Sequence, residues 1–222
     1  MAHYDLEEQE QLDSIKTWWK MYGNLITGVV TAAAVGVVAW QGWGWYQRSQ
    51  AAQASAVYGA LEQAAASRDS QRVKAAAGEL AEKFGSTTYA PLGALMAAKV
   101  SFEAGDLKTA QAQLTWVADN GKDELKDVAR LRLAAVLLDE KAYDEALKQL
   151  DSPHGPAFDA RFAELKGDVL AAQGKKADAK AAYQAAIAKL EGLGAVAEAG
   201  DKPRSPGREL LEQKVDSLGG AA

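Results

Sequence analysis

Between Lys20 and Arg48 the chain reads GNLITGVVTAAAVGVVAWQGWGWYQ after Met21 and Tyr22, with no charged residue anywhere in the run. Leu25 to Tyr46 is long enough, at about 1.5 Å of rise per residue, to cross the roughly 30 Å hydrocarbon layer of a bilayer with slack for tilt. Aromatic residues close it at both ends: Trp18, Trp19 and Tyr22 before it, Trp40, Trp43, Trp45 and Tyr46 at its exit. Those rings favour the two membrane–water interfaces, so they are expected to mark the headgroup levels. A cleaved secretory signal would have an apolar core of only about 7 to 15 residues, although Ala52 to Ala54 supply an A-x-A pattern. A buried helix of a soluble protein accounts for the apolarity but not for the paired aromatic belts. The run therefore predicts one uncleaved transmembrane anchor. Lys16 and Lys20 precede it against Arg48 alone after it, a one-charge margin that leans toward a cytoplasmic N-terminus.

Everything downstream inherits that topology. The chain has 30 acidic and 25 basic residues and no clustered basic stripe, which argues against nucleic-acid binding. With no cysteine it has no disulfide, no thiolate metal site, no cysteine nucleophile and no lipidated cysteine. Beyond Arg48 the sequence is rich in alanine and breaks into segments of helical period separated by Gly, Asp or Ser turns, which predicts an all-α domain. Three stretches share an alanine followed four residues later by a larger residue: Ala110 and Leu114, Ala146 and Leu150, Ala179 and Tyr183. The alanines lie 36 and 33 residues apart, either side of the 34-residue tetratricopeptide period. Gly105 and Gly174, five positions earlier, supply a tight turn, Lys141 stands at that place in the second unit, and Gly167 offers a small residue where the third pair crosses.

The fold class expected is thus an N-terminal transmembrane helix followed by a tetratricopeptide-like α-solenoid. Residues 1–22 form an acidic amphipathic segment, 23–47 the anchor, 48–191 the helical domain and 192–222 a linker with a C-terminal capping helix. The stretch from Ala56 to Phe84 reads as a further, looser helix pair broken around Ser67 to Ser70, fit to be an atypical end unit. GDKPRSPG, from Gly200 to Gly207, reads as a turn-rich linker, and Leu210, Leu211, Val215 and Leu218 form the apolar side of a closing helix. In the N-terminal segment Asp5 is placed to cap a helix whose apolar side carries Leu12, Ile15, Trp18 and Trp19. Two uses of that side stand open, lying on the membrane surface or binding a cytosolic partner.

Chemistry is sparse. His3 and His154 are isolated, and His154, in SPHGP, reads as a solvated turn residue. No phosphate-binding glycine loop, nucleophile elbow or zinc-protease motif is present. The carboxylates, among them Glu62, Glu79, Glu103, Asp144 and Glu145, recur among lysines at helical spacing, as solvated faces do. No cofactor, metal or catalytic residue is expected, and binding is what remains. The first helices of stacked pairs line a concave surface, and the register assigns Leu95, Lys99, Phe102, Leu131, Ala135, Leu138, Glu164 and Asp168 to it. Core packing is the competing reading for Phe102, Leu131 and Leu138. In the anchor, Gly28, Ala32 and Gly36 fall on one stripe at a spacing that admits a second helix, a pattern that the composition of the span also produces by chance.

The order EEQEQLDSIKTWWK, an anchor closing in GWGWYQRSQ, then ASAVYGALEQA, degenerate helix pairs and finally ELLEQKVDSL resembles the YfgM family, the ancillary subunit of the SecYEG translocon. The resemblance spans the chain and implies a single-pass protein of a bacterial inner membrane, cytoplasmic at its N-terminus and periplasmic in its helical domain. It further implies no catalytic residue, and association with the translocon and with a PpiD-like periplasmic chaperone, passing emerging exported proteins onward. Two alternatives stay open: a membrane-anchored scaffold for another cell-envelope machine, and a regulator of envelope stress signalling acting through the cytoplasmic segment.

Overall fold

The computed structural model describes residues 3–195 and 206–219, and these are helical throughout apart from short turns. Most of the expected linker, 200–205, lies outside the described residues. The elements are α1 (His3–Ala66), α2 (Ser70–Phe84), α3 (Tyr89–Glu103), α4 (Leu107–Asn120), α5 (Asp123–Asp139), α6 (Tyr143–Leu150), a 3-10 turn (Pro156–Phe158), α7 (Asp159–Ala172), α8 (Lys176–Ala195) and α9 (Pro206–Gly219). Two compact units result, Met1–Ala52 and Gln53–Ala222.

The first unit is the transmembrane helix. Its apolar side chains are exposed on every side, from Leu25 and Val29 to Val38, with Trp40 83% exposed. A helix that is apolar all round and buried against nothing needs hydrocarbon as its solvent. Helical structure already begins at His3, ahead of Asp5, so Asp5 lies inside the helix and does not cap it.

The second unit is the solenoid, and four identical turns set its repeat. Arg68, Gly105, Lys141 and Gly174 all have positive φ, at 57°, 77°, 61° and 78°. In each turn the next residue's N–H donates back five positions: Asp69 to Ala64, Asp106 to Ser101, Ala142 to Leu137 and Lys175 to Leu170, at 2.8 to 2.9 Å. This left-handed C-terminal cap satisfies the first helix's last carbonyls and reverses the chain into the second helix. Two of the turns place a lysine or arginine where glycine is easier, a strain of about 1 to 2 kcal/mol each. Asp69 and Asp106 then cap α2 and α4, accepting from the N–H groups of Arg72 and Thr109 at 3.1 Å.

The stretch that fits the alanine pattern loosely is therefore a full member of the stack. Five residues after each turn stand Val73, Ala110, Ala146 and Ala179, all fully buried. Leu61 and Ala77 share the first core cluster, Ala98 and Leu114 the second, Ala134 and Leu150 the third, and Gly167 lies under the Tyr183 ring. Along the stack the residue from the first helix shrinks from Leu to Ala to Gly while its partner grows from Ala to Leu to Tyr. Volume at the crossing is held while the side supplying it changes, as close packing demands. Trp116, Leu137 and Leu147 each touch two successive clusters, so the cores join into one.

Helix α9 closes the far end. Leu211 is fully buried, with Val215 and Leu218 packed beside it against Leu170, Tyr183 and Ala186. Leu210 is not part of that side; it is 48% exposed, because the buried stripe of α9 runs through positions 211, 215 and 218 and position 210 lies beside it.

Candidate functional site

First helices α3, α5 and α7 sit next to one another in the stack, and two hollows lie between them. The first, about 330 Å³, is walled by Lys99 and Phe102 of α3 and by Arg132, Ala135 and Asp139 of α5, with Leu114 of α4 below. The second, about 570 Å³, runs from Leu131, Arg132 and Ala135 of α5 to Phe158 and to Glu164 and Asp168 of α7. Arg132 and Ala135 belong to both, so the hollows form one groove with a saddle at α5. Ala135 makes the saddle low, since any larger side chain there would stand up between the aromatic walls.

Six of the eight groove residues expected from the sequence thus line the hollows: Lys99, Phe102, Leu131, Ala135, Glu164 and Asp168. Phe102 is 42% exposed, a large apolar side chain left facing water. Leu131 packs against the third core cluster as well as lining the groove. Leu95 and Leu138 lie elsewhere. Leu95 is buried in the second cluster with Ala98 and Leu114, and Leu138 packs on the third, because the stack covers those sides of α3 and α5.

The groove's two ends differ electrostatically. At the α7 end Lys214 of α9 reaches in and donates to Asp168 at 2.8 Å and to Glu164 at 3.1 Å, while lying 5.5 Å from the centre of the Tyr183 ring. Burial works against the Lys214 charge, but the bonds to Asp168 and Glu164 outweigh it and raise its pKa. Burial pushes the Tyr183 hydroxyl up, reinforced by its 2.7 Å bond to Asp168. Glu164 also accepts from Arg161 at 3.0 Å. At the α3 end Lys99 stands 3.8 Å from Glu103, and neither Arg132 nor Asp139 makes an ion pair among the described residues.

Arg132 and Asp139 are among the groove residues that sequence reasoning passed over. They stand three residues before and four after Ala135, so helical spacing alone puts all three on one face of α5. The expected face of α5 ran instead through Leu131, Ala135 and Leu138, and positions 132 and 139 each lie one residue beyond it.

His154 is not a solvated turn residue. Its ring stacks on Phe162 with centroids 3.8 Å apart, its Nε2 lies 3.3 Å from Asp159 and its Nδ1 2.9 Å from the Ser152 carbonyl. The SPHGP loop is pinned from the other side too, where the Gly155 N–H donates to the buried Asp127 at 2.9 Å and Arg130 donates to the Pro153 carbonyl at 2.5 Å. Asp159, held below its usual pKa chiefly by Lys189, completes the fastening. These contacts fix the 3-10 turn that carries Phe158 into the groove wall. Among the described residues no group of three or more His, Cys, Asp or Glu is placed to hold a metal ion.

In the anchor, Gly28, Ala32 and Gly36 are exposed, and a side chain added at either glycine would meet nothing within 4 Å. Trp18, Trp19, Trp40, Trp43, Trp45 and Tyr46 are all exposed as well.

The family described as tetratricopeptide repeat-like domain matches residues 16–220. The chain is 35% identical over 215 residues to the ancillary SecYEG translocon subunit of Neisseria gonorrhoeae, covering 96% of this chain and 98% of the relative. The chain belongs to this family. It is also 34% identical to the Haemophilus influenzae protein of that name, over 82% of this chain and 90% of the relative. The Escherichia coli protein of that name is 30% identical over 81% and 87%. The match to the Neisseria protein takes in nearly the full length of both chains, so the similarity extends over the apolar helix and the solenoid alike.

Proposed function

We propose that this chain is a non-enzymatic ancillary subunit of the SecYEG translocon in a bacterial inner membrane, linking exported proteins to periplasmic chaperones. The observation that carries the reading is similarity to ancillary translocon subunits along nearly the whole chain, membrane helix included. In this reading residues 1–22 stay in the cytoplasm, 23–47 cross the membrane with Trp18, Trp19, Trp40, Trp43, Trp45 and Tyr46 at the interfaces, and 48–191 with the closing segment 192–222 lie in the periplasm. Gly28, Ala32 and Gly36 admit a translocon helix, and the groove from Lys99 and Phe102 past Leu131 and Ala135 to Glu164 and Asp168 receives a PpiD-like chaperone or an emerging chain. A partly apolar groove on a chain that also carries an apolar membrane helix supports this division of labour.

The test is in-cell crosslinking followed by purification of the full-length protein in mild detergent, with every co-purifying chain identified by mass spectrometry. SecYEG subunits together with a periplasmic chaperone are the expected result. Recovery of cell-wall or outer-membrane assembly proteins in their place would overturn it. Changing Gly28 and Gly36 together to Leu is expected to lower translocon recovery about tenfold, equivalent to about 1.4 kcal/mol; unchanged recovery would remove the stripe from the docking surface.

A further inference from the structure

The proposed groove gives no account of why one of its ends is electrostatically closed and the other open. At the α7 end the charges that α7 itself contributes are matched within the chain: Glu164 and Asp168 by Lys214, and Arg161 by Glu164. At the α3 end Phe102 faces solvent over a hollow floored by Ala98, Leu114 and Val136. Arg132 stands exposed at the saddle, and Asp139 is exposed two helical turns further along the same face of α5. Neither has an ionic partner among the described residues. Seven residues of helix separate them by about 10 Å.

We propose that the α3–α5 half of the groove receives an amphipathic segment of a partner protein that seats an apolar side chain against Phe102 and sets a carboxylate on Arg132. This deepens the partner-binding reading above and rests on it. The apolar hollow supplies burial for one large side chain, and Arg132 supplies the charge complement that a groove of balanced pairs lacks. A guanidinium at the lip of an apolar hollow is suited to a carboxylate, because its planar fork can engage both oxygens at once. Asp139 then fixes direction. A segment with its acid on Arg132 finds favourable company for a basic side chain at the Asp139 end and is repelled there if reversed. The α7 half offers no such handle, since Lys214 has already satisfied its acids.

The groove charges also predict what is rejected. A segment carrying lysine or arginine beside its apolar anchor would face Arg132 and Lys99, and like charges brought together in a partly dry groove oppose docking.

The experiment places a photo-reactive benzoylphenylalanine at position 102 of the full-length protein in living cells, with the same group at exposed Thr115 on α4 as control. Crosslinked peptides are sequenced. The expected product is a partner segment with an Asp or Glu within one helical turn of the crosslinked apolar residue. Arg132→Glu should cut its yield about tenfold, and changing that partner acid to Arg should restore it. A captured segment that is basic, a second copy of this chain, a lipid, or no product specific to position 102 would each overturn the proposal. So would a yield indifferent to Arg132→Glu. Translocon subunits are recovered in the same cells through their own crosslinks, so loss of the groove product with the translocon still present defeats only this inference. Loss of the translocon itself defeats the reading beneath it.

Discussion

A side chain added at Gly28 or Gly36 would meet nothing within 4 Å, whereas one added at Gly167 would run into the Tyr183 ring and one at Gly93 into Leu80 and Leu61. The same residue type serves two ends. At the solenoid's helix crossings, Gly93 and Gly167 are each met by a large side chain from another helix, so volume there is balanced within the chain. At Gly28 and Gly36 none of the described residues supplies the complement, and that space is open to lipid or to another helix. Stability of the fold should therefore depend on the solenoid's crossings and hardly at all on the membrane stripe, while association should show the reverse dependence.

The largest contrast is expected from truncating a leucine or valine in each region. Leu211→Ala empties the fully buried contact between α9 and α8 and should destabilise the solenoid by about 2 to 5 kcal/mol. Val38→Ala in the apolar helix should leave the melting temperature of the full-length protein in mild detergent unchanged. Equal losses in thermal melts followed by circular dichroism would break the comparison. Next in size, Gly167→Leu should cost about 1 to 3 kcal/mol by forcing the Tyr183 ring aside, a fall of very roughly 2 to 12 °C for a unit of this size. Gly36→Leu should again be silent in the same melt. Pairing Gly167→Ala with Tyr183→Leu recreates the Ala98 and Leu114 crossing and should recover part of that loss; no recovery would mean that the crossings do not trade volume.

The four turns give a smaller and signed effect. Lys141→Gly relieves a left-handed lysine and should raise stability by about 1 kcal/mol, whereas Gly174→Ala should lower it by about the same amount. Changes of like sign would contradict a common turn. Smallest of all is a charge effect at Asp106, whose carboxylate accepts from Lys74 first, and also from Thr109, and is held down to about 2 from an ordinary 3.8. A folded pKa below the unfolded one stabilises the fold above about pH 4, and that contribution is lost as pH falls toward 2. Asp106→Asn, which keeps the cap, should melt lower than the parent at pH 6 and converge on it near pH 2; a pH-independent gap would assign the effect to the cap alone.

How much of this was legible in the sequence depended on which residue carried the signal. The apolar run with its tryptophans specifies a membrane helix by length and chemistry alone, and Ala110, Ala146 and Ala179 specify a stack because a small residue recurs at one place in each pair. The first pair was hidden from that search, since Leu61 and Ala77 exchange the large and small roles and Arg68 occupies the turn in place of glycine. Six groove positions follow from helical register, but Leu95 does not, because register gives a face of a helix and not which length of that face its neighbours cover. His154 carried no sequence signal for stacking. Its partner Phe162 lies eight residues on, and only the fastening of the loop by Asp127 and Arg130 brings the rings together.

The proposed function requires one helix to hold the solenoid on the opposite side of the membrane from the N-terminus, where exported chains emerge. The protein has no cysteine, so single substitutions report topology without background. Ser14→Cys and Thr115→Cys would each be treated with a membrane-impermeant maleimide in cells whose outer membrane alone has been opened. A periplasmic solenoid gives rapid labelling at 115 and labelling at 14 only after the inner membrane is broken. Labelling at 14 with protection at 115 would contradict it.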